Sequence, residues 1–509
     1  MSSRAQTASE GRHHLLTDAI DEMVGGAAHR RMIILFGSIL GLQAADTGAV
    51  GALAAPLEKS FHIGNTDIGL LATVTTLVGC VATLPFGTIA DRFSRTRLLQ
   101  VVVALWAVAT IVSSLSLSFA MLLVTRLALG GVIAAAGPAL ASLFGDIVPG
   151  DQRSRLWGYV LAGELVGAGI GILVAGALSG PFGWRVPMAV LGLPAVVLAW
   201  AIRRWLPEPA RGGQSYLLRG EEVVPEAGTG GTFDVREDVN EELGEASEPE
   251  RPAGPKPGPV PCEELDLTLW QATRYALRIR TNVALIIASG IGYFFLAGLE
   301  TFAELYFRER YGVGQGSATV LFLVVAVGAI AGVTTSGRIT DRLISRRRTT
   351  ARVVVGSIAY VSTAVAFIPG ALSDTLALSM PIFFLAAFCV GSANPPVDAA
   401  RLDIMPSRLW GRAEAVRTAL RQFLQGAAPL IFGLVSVAFG GSGAGLSSGV
   451  DTSATAVSHS AAHGLQMAFV VLSLPLLGAG AVLWLCRSAY LRDIVAARRF
   501  DENMTAARA

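Results

Sequence analysis

Long apolar runs separated by short polar breaks fill this chain from one end to the other. They fall near residues 31–55, 66–90, 98–117, 119–145, 154–180 and 185–205, and again near 281–307, 315–338, 350–369, 375–401, 409–439 and 463–487. Each run is about 20 residues or longer, enough for a helix to cross a bilayer. The pattern predicts an all-α membrane protein with twelve transmembrane helices, six on each side of a polar gap. The fifth and eleventh runs are long and rich in glycine, which predicts tilt or bending.

The gap at 206–280 has a different character. Its phrases EEVVPEAGTGG and EELGEASEPERPAGPKPGPVP are rich in Pro, Gly and Glu. Such a composition cannot bury enough apolar surface to fold alone, so a largely disordered linker is expected. Its end, TLWQATRYALRIR at 268–280, reads as a short amphipathic helix lying on the membrane surface. The expected organisation is a polar tail at 1–30, a six-helix bundle at 31–205, the linker, a second bundle at 281–487 and a tail at 488–509.

Composition agrees: 52% of the 509 residues are hydrophobic and 15% are charged, against roughly a quarter charged in soluble domains. The net charge of +2 says little as a sum; its placement says more. Arg30 and Arg31, Arg92 to Arg97, Arg153 and Arg155, Arg203 and Arg204, Arg346 to Arg348, Arg408 and Arg412, and Arg487 onward all fall on one side of an alternating topology. The other side offers only Lys59, Arg185, Arg308 and Arg310. The bias places both termini and the linker in the cytoplasm, most simply in a plasma (inner) membrane. The four cysteines are scattered, so neither a disulfide nor a metal site is expected, and no cofactor is implied. No GxxxxGK[ST] string occurs, which argues against ATP-driven pumping by this chain. No catalytic constellation stands out, and nothing points to nucleic acid.

Two phrases occur twice. GTIADRFSRTR at 87–97 returns as GRITDRLISRRR at 337–348, a shift of 250 from Asp91 to Asp341. DIVPGDQRSRLWG at 146–158 returns as DIMPSRLWG at 403–411, a shift of 253 from Arg155 to Arg408, and GP at 137–138 matches NP at 394–395. The chain therefore reads as two homologous halves, and both begin on the same side. A binding site is expected near the midplane between them. In each copy of the second phrase a tryptophan, Trp157 or Trp410, is expected at the membrane interface.

GTIADRFSRTR resembles the loop signature of the major facilitator superfamily, and its weaker second copy is also typical of that family. The resemblance spans all twelve helices and implies a transporter, acting as a monomer, that binds a small molecule. It implies that Asp91 meets the start of the eleventh helix and holds one end of the cleft shut, with Asp341 doing the same against the fifth. Gly87, Arg92, Arg95 and Arg342 belong to the same gating signature. Ser94 stands where the family often has glycine. Asp46, FHIGNTDIGLL, the Gly-rich fifth helix and LPEPARG are similar to spinster-like lipid transporters, although Thr47 replaces their usual arginine and LALGGVIAAAGPAL lacks their glutamate.

Charges inside the spans are costly unless paired or wetted, so each is a functional candidate. Asp46 and Arg126 lie at similar height in the outer halves of helices 1 and 4. They form either a static pair or a proton-coupling element whose separation would change the proton affinity of Asp46. Glu164, in helix 5, aligns with Arg417 in the repeat and is a candidate for proton coupling or substrate contact, or else a neutral buried hydrogen-bonding group. Glu300 and Glu304 are one turn apart in the outer third of helix 7, as proton-coupling candidates or as groups reaching external water. Glu414, Arg417 and Arg421 share one stripe of helix 11. Arg417 and Arg421, with Asp398 and Asn394 from helix 10, are either substrate ligands or, for Asp398, Glu414 and the arginines, a structural network. Arg338 and Arg401 are expected to snorkel.

The reading is a secondary active transporter working by alternating access. Proton-coupled efflux of an amphipathic, drug-like or lysolipid-like molecule leads. Uptake of a small organic anion held by the helix 11 arginines, or an uncoupled lipid scramblase or sensor, stands beside it. The partners are the substrate, protons and membrane lipids.

Overall fold

A computed structural model describes residues 26–63, 65–209, 269–439 and 454–506. The expectations for the first 25 residues, for the linker between 210 and 268 and for the loop at 440–453 lie outside the described residues. Among the described residues, twelve helices are long and apolar enough to cross a membrane.

The first half comprises α1 (Ala27–Ala52), the short α2 (Ala54–Phe61), α3 (Asn65–Arg92), α4 (Arg95–Ser114), α5 (Phe119–Ile133), α6 (Ala136–Ile147), α7 (Arg153–Phe182) and α8 (Arg185–Trp205). The second comprises α9 (Leu269–Arg278), α10 (Arg280–Tyr311), α11 (Gln315–Ser345), α12 (Ala351–Leu372), α13 (Leu376–Asp403), α14 (Trp410–Ala438), α15 (Ala454–Leu485) and α16 (Arg487–Ala506). Local chemistry sets several ends. The hydroxyls of Ser94 and Ser118 accept from the backbone N–H of Arg97 and Met121, capping α4 and α5. Gly312 takes the left-handed conformation that stops α10.

The same three pairings build both halves. In the first, α1 packs on α7, α3 on the α5–α6 span and α4 on α8; in the second, α10 packs on α14, α11 on α13 and α12 on α15. Glycine brings α1 and α7 close together: a Cβ at Gly163 would lie 2.8 Å from the Cα of Gly37.

The structure corrects several expectations. The fourth span is two helices, α5 and α6, broken at Ala134 and Ala135. Pro138 has no N–H for the carbonyl of Ala134, and Gly130, Gly131 and Gly137 surround the break. The first span stops at Ala52, and α2 fills the turn to α3. The tryptophans of the repeated phrase, Trp157 and Trp410, are both buried in protein. Arg401 does not snorkel: it is 2% exposed and pairs with Glu414. The expected amphipathic helix at 268–280 is α9, which buries Ala272 and Ala276, exposes Trp270, and packs on α14, α10 and α3.

Two seams join the halves, α3 on α14 and α7 on α11. Both lie toward the end that carries the Arg-rich loops. There α6 also packs on α14, whereas α5, the other part of the same span, packs on α3 and α4 of its own half. Farther from that end, a Cβ at Gly169, Gly176 or Gly180 of α7 would meet nothing within 4 Å. Among the described residues, the polar clasp between the halves lies at the Arg-rich end.

Candidate functional site

The clasp is built from carboxylates at helix starts. Asp91, at the end of α3, accepts from the backbone N–H groups of Gly411 (2.9 Å) and Arg412 (3.1 Å) and from Arg412 Nε (2.8 Å). Asp341, near the end of α11, accepts from the N–H groups of Ser154 (3.2 Å) and Arg155 (2.7 Å). The first turn of a helix has unpaired N–H groups and a partial positive charge, so a carboxylate is favoured there. Glycine allows the approach: a Cβ at Gly87 would lie 2.5 Å from that of Ala415, and one at Gly337 would lie 2.7 Å from the Cα of Arg155. Arg92 and Arg342 are exposed beside these contacts. Arg95, expected in the gate, turns away from the second half. It is buried and pairs with Asp146, with Ser142 (3.0 Å) and with Glu208 (2.9 Å), all in the first half. Glu208 also accepts from Ser94 Oγ (2.9 Å) and Thr96 N (2.8 Å), so residues 206–209 dock on the gate loop and are not free linker.

A second inter-half link was not legible in the sequence. Arg153 donates to Asp403 (3.1 Å), Arg352 pairs with the other oxygen of Asp403 and donates to Ser154 Oγ (3.0 Å), and Tyr490 donates to Asp403 (2.6 Å). Both arginines and Asp403 are fully buried. Arg153 and Asp403 stand inside the repeated phrase, which was a signal, but there they read as solvated loop charges.

Deeper in, the helix 11 stripe divides. Arg417 is 4% exposed and its donors are spent: on Asp398 (2.6 Å), Ser289 (3.1 Å) and both oxygens of Glu414 (3.2 and 3.0 Å). Trp157 reaches across from α7 and donates its indole N–H to Asp398 (2.9 Å). Arg421, one turn on, lies 4.1 Å above the ring of Tyr293, and its buried Nε has no hydrogen-bond partner among the described residues. Glu164 faces this group from the first half. The charges acting on it are Arg421, Asp398 and Arg417, all from the second half, yet it forms no hydrogen bond among the described residues. Glu300 is exposed and within electrostatic reach of Glu164. Glu304 is half-buried and accepts from the hydroxyl of Thr319 (3.2 Å). Asn394 is half-buried on α13. Tyr293, and Tyr360 with a buried hydroxyl lacking a partner among the described residues, are members of this cluster that the sequence did not reveal. In an apolar span a tyrosine reads as packing.

Asp46 and Arg126 form a buried pair, 2.6 Å apart. Both belong to the first half, so rocking of the halves as rigid bodies leaves the pair intact. The separation on which its coupling role was predicated is not a motion between halves.

The architecture has counterparts among known proteins. The chain is 31% identical over 198 residues to the 4-hydroxybenzoate transporter PcaK of Pseudomonas aeruginosa, a match covering 38% of this chain and 43% of that one. The aligned part thus spans less than half of that relative. Among solved structures, the human organic anion transporter MFSD10 (TETRAN) superposes with a TM-score of 0.62 at 15% identity, covering 89% of this chain and 99% of that one. A bacterial homolog to the human lysosomal transporter Spinster, inward-facing and unoccupied, superposes with a TM-score of 0.58 at 19% identity, covering 92% and 98%. At these identities the structures share the fold. The sequence profile of the Major Facilitator Superfamily matches residues 35–429. With twelve spans, two six-helix pseudo-repeats and that match over most of its length, the chain belongs to the Major Facilitator Superfamily of membrane transporters.

Proposed function

We propose that this transporter carries a small organic anion by alternating access, that the anion binds at Arg421, and that transport is coupled to protonation of Glu164. One observation carries the reading. Of the two arginines facing the centre of α14, Arg417 is saturated by carboxylates and Arg421 is not. A half-buried guanidinium keeps strong, charge-assisted donors for a carboxylate, and the Tyr293 ring beneath it suits a flat, aromatic anion. The named substrates of the relatives, 4-hydroxybenzoate for PcaK and organic anions for MFSD10, are of this class.

Coupling follows from competition for one cation. Ionised Glu164 offsets the charge of Arg421 and disfavours a second anion beside it. Protonated Glu164 leaves the site with excess positive charge, and the substrate carboxylate balances it. Proton and anion then bind together, which makes the protein a symporter and favours uptake. Glu300 supplies a second carboxylate on the proton path. With the Arg-rich, clasped end taken as cytoplasmic by the positive-inside bias, the described conformation is one closed on the cytoplasmic side.

The test is equilibrium binding of 4-hydroxybenzoate to the purified protein between pH 5 and 8. Wild type is expected to bind more tightly as pH falls. Glu164→Gln should bind with no pH dependence over that range, and Arg421→Gln should lose at least tenfold in affinity. Wild-type affinity in Arg421→Gln would refute the site. Tighter binding at higher pH would instead support proton-driven export, the reading in which an amphipathic molecule leaves against the proton flow.

A further inference from the structure

The duplication places one tryptophan in each half, Trp157 and Trp410, but the two indoles behave differently. Trp410 donates to the carbonyls of Met405 (3.0 Å) and Leu402 (3.1 Å), backbone groups of its own half. Trp157 donates across the seam to Asp398 (2.9 Å). The sequence explains the asymmetry. The register that matches GP at 137–138 with NP at 394–395 sets Ala141 opposite Asp398, so the first half has no carboxylate for Trp410 to reach. Asp398 is also the acceptor that holds Arg417, one turn from Arg421. The ring of Trp157 is fixed edge-on against Phe144, with centroids 4.4 Å apart.

We infer that Trp157 is a positioning residue that ties the central charge cluster to closure of the Arg-rich end. Its N–H reaches Asp398 only while the halves meet there. Opening that end strips the buried carboxylate of one of its two side-chain donors, Trp157 and Arg417, and an unmade bond to a buried charge opposes opening. The other polar contacts across this seam, those of Asp341, the Arg153–Asp403 pair, the bonds from Arg352 to Ser154 and Gly150 and the Arg338–Tyr159 bond, do not touch the central cluster directly. Trp157 does. This inference rests on membership in a transporter family, not on the anion reading, and its test uses no substrate.

The reporter is Cys80, whose thiol donates to the carbonyl of Ala419 inside the α3–α14 seam (3.1 Å). The rate of N-ethylmaleimide labelling at Cys80 in the full-length protein in proteoliposomes is followed by peptide mass spectrometry. Trp157→Phe keeps an aromatic ring at this position and removes the donor; it should raise that rate about tenfold. Asp398→Ala should raise it similarly, and Trp157→Phe added to Asp398→Ala should add nothing. A wild-type rate in either single variant overturns the inference. So does an undiminished effect of Trp157→Phe when Asp398 is absent, since that would assign the tryptophan a packing role.

Discussion

At the scale of single residues, the same side chain serves opposite purposes a turn apart. Arg417 is locked between Asp398 and Glu414, while Arg421 keeps an unpartnered donor. Removing them should therefore have different consequences. Arg417→Ala takes from buried Asp398 its ion-pair partner, leaving it the Trp157 N–H, while Glu414 keeps Arg401; it is expected to destabilise the protein by about 3–5 kcal/mol, the cost of breaking a buried pair from one side. Arg421→Ala should unfold at the wild-type temperature and lose anion binding. Thermal unfolding in detergent distinguishes the two. By the same logic, Asp46→Asn leaves Arg126 buried without its carboxylate. It should lower stability by a similar margin, and a double replacement with Asp46→Leu and Arg126→Met should recover most of it.

At the scale of elements, the gate is a matter of helix ends meeting helix starts. Asp91 and Asp341 work because α14 and α7 begin beneath them, and because Gly87 and Gly337 let the backbones approach. Gly87→Leu should keep α3 off α14, hold the Arg-rich end ajar and stop turnover while expression persists. Accessibility of Cys80 to maleimide is the measure. The loop between α3 and α4 is secured differently. Burial by itself would raise the Glu208 carboxyl, but bonds from Thr96 N, Arg95 and Ser94 outweigh it and hold the value down at about 2, below the usual 4.5. A group with a depressed folded value stabilises its contact above the unfolded value and loses it on acidification. Docking of residues 206–209 should hold above pH 4.5 and weaken progressively as pH falls toward 2, read by hydrogen exchange at Thr96.

At the scale of the molecule, the two halves meet along α3 on α14 and α7 on α11, with polar contacts at the Arg-rich end. A short bis-methanethiosulfonate, joined through disulfides to Gly79→Cys and Gln422→Cys, would bridge α3 and α14, where a Cβ at position 79 would lie 3.8 Å from Oε1 of Gln422. It should fix the described state and abolish turnover, with a reductant restoring it. Transport that continues with the cross-link intact would mean that this seam does not open.

Much of the architecture was written in one dimension. Twelve spans follow from apolar length alone, because a bilayer rewards every uninterrupted run of that kind. The paired halves follow from the two repeated phrases. Chemistry that depends on which face of a helix meets which partner did not follow. Arg153 and Asp403 looked like loop charges, Arg401 like a snorkelling end and Arg95 like a gate residue, since a sequence gives height along a helix and not the neighbour at that height. The break at Ala134 was signalled by Pro138, but only packing of α6 on α14 makes it a feature of the seam. The sequence by itself determined the spans, the duplication and which charges are expensive. Tertiary structure decided which of those charges are spent on each other and which remain available, because pairing is settled by distances across the cleft that no spacing along the chain encodes.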